Sequence, residues 1–380
     1  MKIIHVGLSG SFTESMTYQE NMLANQNVAD GHDVMVVADC SCFRNGQLIP
    51  TPPEDRLLAS GVRLVRIPFD RVFTRYVTNK FRKTKLLRPL IEQFAPDVIL
   101  FHGCQSWEML TIADYKKANP QVKLFADTHA DFNNSARNWL SKNILHKLFY
   151  GALIRFAYPY LEKLFYITEE TKDFLVKLYK LSTDKLEFYP LGGIIHSPKE
   201  RAAMRAEKRA ELGLRDEDIL LCHSGKLDSI KRTRDIILAL SQVPAERLRL
   251  IIIGSIPREM ESVLLPLFAA DVRICFLGWK SGDELIAYLC ASDIYVQPGS
   301  QSATMQNAIC CGAPVMLYPH KSYKAFVEGN GWFVKTTEDM AAIFSEIAAN
   351  PIMLEGKSKN SFTIAYEYLD YKKMAARLYQ

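Results

Sequence analysis

Short apolar runs alternate with stretches of helical periodicity from the first residue of the chain onward. The runs at 2–6, 33–38, 62–67, 97–101, 123–126 and 163–167 are largely apolar rather than strictly alternating, which is the pattern of strands buried on both faces. A Gly/Ser loop at 7–13 follows the first run, and a helix over 14–29 closed by Gly31 leads to the second. A second series begins at 219–222 and continues through 248–253, 272–277, 294–297, 315–318 and 332–335, with a helix at 233–240 after its first strand. Such β-α-β alternation predicts parallel sheets covered on both sides. Two doubly wound, Rossmann-like halves follow. Their seam falls at Pro190-Leu191-Gly192-Gly193 and the loop to Pro198, where Gly and Pro interrupt both periodicities. The expected division is 1–195, 196–360 and a C-terminal helical segment at 361–380 that can pack back on the N-terminal domain. Ligands of open parallel sheets bind beyond the carboxyl ends of the strands, so two facing domains of this kind imply a substrate cleft between them.

Composition narrows the class without naming it. At 380 residues the chain exceeds what one core usually serves. A net charge of +5 is mild for this length, and no recognised motif accompanies it, so nucleic acid is not an expected partner. No early apolar run has signal-peptide length and no uninterrupted span approaches a transmembrane helix, which leads to an expected cytoplasmic location. The eight cysteines, at 40, 42, 104, 222, 275, 290, 310 and 311, show no Cys-x-x-Cys spacing, and several lie inside apolar strands as reduced thiols do. Neither zinc nor disulfides are expected.

Chemistry enters at His223-Ser224-Gly225-Lys226-Leu227-Asp228-Ser229-Ile230-Lys231-Arg232, which sets two lysines five apart between an apolar strand and a helix. Gly225 lets the backbone turn, and Lys226 and Lys231 are placed to meet a phosphate. The alternative is a solvated loop and helix face. The segment Gln297-Pro298-Gly299-Ser300-Gln301-Ser302-Ala303-Thr304-Met305-Gln306-Asn307 repeats the logic of strand, polar loop and short helix. Gly10, in Gly7-Leu8-Ser9-Gly10-Ser11, permits close approach of a first-domain loop to a diphosphate, or is only a flexible turn. His129 and Asp131, in Asp127-Thr128-His129-Ala130-Asp131, follow a strand, as does His102. A formal Asp-x-Asp at Asp216-Glu217-Asp218 precedes a strand in a polar loop and reads as a solvated turn rather than a metal site.

With these residues the chain resembles the retaining GT-B glycosyltransferases, family 4 in particular. Asn307-Ala308-Ile309-Cys310-Cys311-Gly312-Ala313-Pro314-Val315 is similar to the family's Glu-Ala-Met-Ala-Cys-Gly-x-Pro-Val. Gly278, the run Ser292-Asp293-Ile294-Tyr295-Val296-Gln297-Pro298, Glu328-Gly329-Asn330-Gly331, Lys2-Ile3-Ile4-His5-Val6-Gly7 and Gly31-His32-Asp33-Val34 fit its order. The resemblance implies a nucleotide-sugar donor, transfer with retention, and Lys226 and Lys231 on the donor's diphosphate. It implies no cofactor and no metal, the leaving charge being met by lysines and by the helix starting near Ala303. His129 is placed against the donor sugar as a neutral hydrogen-bond donor, and Asp131 at an acceptor hydroxyl.

One departure stands out. The family carries two glutamates with seven residues between them, and in a gap-free alignment Gly299 and Asn307 take their positions. Gln301, Ser302, Thr304 and Gln306 supply neutral hydrogen-bonding groups for sugar and phosphate instead. The missing carboxylates keep open a noncatalytic nucleotide-sugar-binding partner, and a GT-B nucleotide-sugar epimerase is a further alternative. On the acceptor side, residues 63–88 are rich in Arg and Lys interleaved with Phe and Tyr, and residues 139–166 add aromatic and basic residues. Both suit an anionic membrane surface or a lipid diphosphate acceptor, or else a solvated helix face over a core stripe; the expected acceptor is a glycan or lipid-linked glycan of surface polysaccharide synthesis at the inner face of the cell membrane.

Overall fold

A computed structural model describes residues 1–14, 16–44 and 47–380. The chain divides into two compact units, Met1–Pro190 with Tyr371–Gln380, and Leu191–Asp370. The division falls inside the Pro/Gly stretch that breaks the sequence periodicity. Residues up to Asp370 stay with the second unit, and only Tyr371–Gln380 pack within the first.

The first unit contains β1 (Lys2–Gly7), β2 (Asp33–Asp39), β3 (Ser41–Arg44), β4 (Gln47–Pro50), β5 (Glu54–Leu57), β6 (Arg63–Ile67), β7 (Val98–Phe101), β8 (Lys123–Thr128), β9 (Lys163–Tyr166) and β10 (Leu186–Phe188). Its eight-stranded sheet runs β10-β9-β8-β7-β1-β2-β6-β5. All neighbours are parallel except the edge strand β5, which lies antiparallel to β6. Strand side chains divide between two apolar layers: Ile4, Val6, Ile99 and Phe101 face one core, while Ile3, Val36, Val98 and Leu100 face the other. Tyr371, Met374 and Leu378 join the second layer. There the Tyr189 hydroxyl donates to Met374 O at 2.8 Å and Arg377 bonds Glu187.

The second unit contains β11 (Ile219–Lys226), β12 (Leu248–Ser255), β13 (Ile274–Gly278), β14 (Ile294–Gln297), β15 (Val315–Leu317) and β16 (Gly331–Phe333). They form a six-stranded sheet, β13-β12-β11-β14-β15-β16, parallel throughout. Leu221, Leu250, Ile252, Ile294, Val296 and Met316 pack against helices carrying Ile236, Leu240, Met340 and Phe344.

Several elements differ from the sequence expectation. The first helix begins at Gln19 rather than 14, and Ser15 lies outside the described residues. The β3–β4 hairpin, β5 and β10 were not expected. They are only three or four residues long, and their partners rather than their own periodicity define them. β5 also changes the reading of the basic stretch at 63–88. Arg66 is buried between Glu54 and the carbonyls of Asp39, Ser41 and Phe12, and Arg63 pairs with Asp55. Those two cations hold the sheet edge and leave the surface charge to Arg71, Arg75 and Lys85, with Lys80 half-buried.

In each sheet the strand order reverses once, between β1 and β7 and between β11 and β14. At such a reversal the connections leave in opposite directions and open a crevice beyond the carboxyl ends. Gly10, His102 and His129 lie by the first of these points, and Lys226, Lys231 and Gly299 by the second, whereas Asp216 and Asp218 sit at the opposite end of β11.

Candidate functional site

In the second unit the crevice is built by two loops clasped against each other. β11 ends in Gly225-Lys226, and a short 3-10 turn, Ser229–Lys231, precedes the helix Thr233–Ser241. Ser300 N donates to Ile230 O at 2.9 Å, and the Arg232 guanidinium reaches Pro298 O at 3.1 Å. A Cβ on Gly299 would lie 2.2 Å from Ile230 O, so this position admits no side chain at all. The space that a side chain at 299 would need is filled by the backbone of Ile230 and Lys231.

Lys231 is the buried cation of this clasp. Its side chain runs beside Gly225, where an added Cβ would stand 3.1 Å from Cε, and Gly225 itself has φ +135°, so both space and backbone exclude other residues. Lys231 Nζ lies 3.4 Å from Gln301 O. Burial lowers its pKa below the ordinary lysine value, and the charge of Asp228 only partly offsets this. Lys226, by contrast, is exposed at the strand end. The loop thus brings Gly225, Lys231, Gly299 and Gln301 together, with Lys226 at the rim.

The remaining residues of the polar loop divide between structural and open roles. The Gln301 amide donates to the Ser322 hydroxyl, and Ser302 N donates to the Tyr323 hydroxyl at 2.7 Å. Ser302 and Thr304 also lie by the buried Tyr295 phenol, whose pKa burial pushes up to about 12 against the hydrogen bonds of Ser224, Ser302 and Thr304. Gln306 is buried with its Oε1 unpartnered among the described residues, and so holds an acceptor in reserve. Asn307 is half-buried, with Oδ1 near the backbone of Gly193. The helix carrying them, Thr304–Cys310, is seven residues long. So short a helix adds little macrodipole, and the lysines carry most of the positive potential. Asp218 of the Asp-x-Asp is not a solvated turn residue but is buried, accepting from Arg215 N at 2.9 Å and from its guanidinium at 3.0 Å.

The first unit holds a cavity of about 990 Å³ at its own reversal point, lined by Gly10, His102, Asp127 and His129 among others. Tyr76, Lys80 and Phe81 from one basic-aromatic stretch and Leu140, Ile144 and Phe149 from the other line the same cavity. Gly10 has open space around a notional Cβ. His129 projects with nearly half its side chain exposed. Asp131 is turned inward: its Oδ1 accepts from Asn133 N at 2.7 Å and Asn134 N at 2.8 Å, which fixes the turn after β8. Sequence reasoning missed His5, Asn27 and Asp127, which sit under this cavity. Their signal was a histidine and an aspartate inside otherwise apolar strands, polar groups that a buried sheet accepts only with partners.

With the geometry of both crevices in view, the comparisons are specific. Residues 204–362 match the family described as glycosyl transferases group 1, and residues 21–192 match glycosyltransferase family 4. The chain has the GT-B fold, and its two halves match these two glycosyltransferase families. Similar solved structures include HepE of Anabaena in complex with UDP (TM-score 0.67, 15% identity, covering 99% of this chain and 98% of that one). Sucrose-phosphate synthase from Thermosynechococcus elongatus gives a TM-score of 0.67 at 15% identity, covering 99% and 97% of the two chains. WaaG, a glycosyltransferase involved in lipopolysaccharide biosynthesis, gives 0.61 at 15% identity with both chains fully covered. A curated relative, alpha-galactosylglucosyldiacylglycerol synthase of Streptococcus pneumoniae (strain ATCC BAA-255 / R6), is 24% identical over 168 residues, spanning 42% of this chain and 44% of that protein. The match therefore spans under half the length of that relative. No helix among the described residues is long and apolar enough to cross a membrane.

Proposed function

We propose that this protein transfers a sugar, with retention, from a nucleotide-sugar to a lipid-linked or other glycan acceptor of a surface polysaccharide, at the cytoplasmic face of a membrane. The buried Lys231 in its Gly225–Gly299 clasp carries the reading. A cation is kept out of water there at a cost, and an anionic ligand at the loop would compensate it. Departure of the donor's diphosphate builds negative charge on the leaving oxygen, and Lys231 and Lys226 meet it without a metal ion. Gln301, Ser302, Thr304, Gln306 and Asn307 are the neutral groups for sugar and ribose hydroxyls, while Asp131, committed to the turn after β8, takes no part. The UDP bound to HepE makes uridine diphosphate the first ligand to test.

The acceptor side rests on a different feature. The helix Ser141–Tyr150 runs straight into Gly151–Ala157 and exposes Leu140, Ile144, Leu148 and Phe156 at fourfold spacing, beside exposed Lys142, Lys147 and Arg155. Trp139 precedes it, 71% exposed. A basic helix with an uncovered apolar ridge suits the interface of an anionic bilayer, and the cavity beside it would receive a lipid headgroup. Calorimetric titration with a panel of nucleoside diphosphates and nucleotide-sugars, in the presence of chelator, tests the donor site. Turnover with the selected donor and lipid acceptors tests transfer. Tight donor binding with no turnover would favour a noncatalytic binding partner, the reading that the neutral positions 299 and 307 support.

A further inference from the structure

Beneath the first-unit cavity a chain of hydrogen bonds crosses four segments of the chain. Asn27 Oδ1 lies 2.8 Å from His5 Nε2, His5 Nδ1 lies 2.9 Å from His102 Nε2, and His102 Nδ1 lies 2.6 Å from Asp127 Oδ2. The other Asp127 oxygen accepts from Gly103 N at 2.7 Å and stands 3.9 Å from His129 Nε2. The two imidazoles are nearly coplanar, with 12° between them.

Proton positions follow from the ends of the chain. A carbonyl oxygen only accepts, so His5 carries its hydrogen on Nε2 and offers a lone pair at Nδ1. The Asn27 amide nitrogen lies on the side of the Tyr379 phenol, whose own hydrogen is donated to Asp30. His102 must then donate from Nε2 to His5 and from Nδ1 to the Asp127 carboxylate, which makes it an imidazolium. The electrostatics agree. Burial, followed by the charge of His102, lowers the His5 pKa to about 3. Burial opposes the charge on His102, but the field and hydrogen bond of Asp127 outweigh it and raise the pKa. Burial likewise opposes ionisation of Asp127, yet His102 holds its carboxyl below the usual range.

We propose that Asp127, held in place and ionised by His102 and His5, is a positioning residue for His129, taking its Nε2–H and so presenting Nδ1 to the cavity as an acceptor for a substrate hydroxyl. A small rotation of the half-exposed His129 ring closes the 3.9 Å gap, and catalytic hydrogen bonds commonly tighten when substrate binds. This polarity is the reverse of the hydrogen-bond donor expected from sequence. The substrate part of the proposal rests on the glycosyl-transfer reading, whereas the histidine states do not.

Nitrogen-15 spectra of the histidine side chains in the full chain, near neutral pH and without ligand, test it directly. The expected spectrum has His102 protonated on both nitrogens, His5 as the Nε2–H tautomer and His129 predominantly Nε2–H. In Asp127→Asn, His102 loses its second proton and His129 loses its tautomer preference. A neutral His102 in the wild type, or an unchanged His129 tautomer in Asp127→Asn, would overturn the proposal, and the wild-type spectrum decides even where the variant does not fold. Turnover then supplies a cycle: Asp127→Asn and His129→Gln each slow transfer on the order of 10-fold or more, and the double variant no further than the slower single. Multiplying losses refute the positioning role. UDP binding measured in parallel keeps this separate from the donor site, since absence of UDP binding would count against the glycosyl-transfer reading alone.

Discussion

Lys231→Met separates binding from stability, because the two should move in opposite directions. Methionine keeps the linear shape that lies along Gly225 but removes the charge. In the free protein that charge is buried with only Asp228 as compensation, so its removal should stabilise the second unit by about 1 kcal/mol, the modest figure reflecting partial solvent screening of Nζ. For a unit of this size that raises Tm by about 2–4 °C. The same change removes a charge-assisted hydrogen bond to diphosphate, worth about 1.5–3 kcal/mol, or about 10- to 150-fold in Kd.

These magnitudes predict a crossing. At a UDP concentration of about 100 times the wild-type Kd, the ligand adds about 2.7 kcal/mol to the wild type. A variant binding about 100-fold more weakly gains only about 0.4 kcal/mol at that concentration. Lys231→Met should therefore melt above the wild type without UDP and below it with UDP. Thermal scans at several UDP concentrations, with calorimetry for Kd, measure both arms. A variant that is less stable without ligand, or that keeps wild-type affinity, would show that Lys231 is a structural cation and not a phosphate ligand.

Other expectations follow from the same geometry. Gly299→Ala should cost about 1–3 kcal/mol by forcing the two loops apart, and should weaken UDP binding more than Lys226→Ala does; equal stability to wild type in urea unfolding would refute the clasp. Sedimentation with anionic vesicles should fall as salt rises and should be lost in the double variant Ile144→Glu/Leu148→Glu, whereas equal recovery with neutral vesicles would leave this helix an ordinary surface. His5 and His223 are held neutral by burial, with pKa lowered to about 3 and about 4, one in each unit. Because these folded values lie below the unfolded 6.5, the stability they contribute is present above about pH 6.5 and lost as pH falls. His5 and His223 should each contribute a loss of about 2 kcal/mol near pH 5, visible as falling urea midpoints, and His223→Gln should flatten the dependence in the second unit. His102 acts in the opposite sense, its contribution being present below 6.5 and lost as pH rises through its raised folded value.

Strand positions were readable wherever both faces of a strand are buried, since continuous apolar runs leave few other assignments. The elements that escaped are those whose identity lies in a partner. β5 is Glu54-Asp55-Arg56-Leu57, a strand only because Arg63 and Arg66 on β6 supply its counter-charges. The lysines of the second-unit crevice were legible as neighbours because a strand, a glycine and a helix in sequence order bring residues 225–231 together. The relay under the other crevice was not, because Asn27, His5, His102 and Asp127 come from four separate segments. Only the sheet order β8-β7-β1 makes their side chains neighbours.

The same reasoning bears on the missing acidic pair. Loss of a carboxylate by drift would leave room where the side chain had been, and restoring it would be cheap. At Gly299 the opposite holds: the backbones of Ile230 and Lys231 occupy the position of its Cβ, His320 Nε2 lies 3.0 Å from its carbonyl, and Ser300 N is bonded to Ile230 O. The loop is closed at this position, and the Gln301 carbonyl lies 3.4 Å from Lys231 Nζ. A negative side chain beside that buried lysine would compete with diphosphate for the same cation. Removing it leaves Lys231 charged and poorly compensated until an anionic ligand arrives. The neutral loop is thus consistent with a site whose affinity is concentrated on the phosphates, with selectivity for the sugar left to hydroxyl and amide groups such as Thr304 and Gln306.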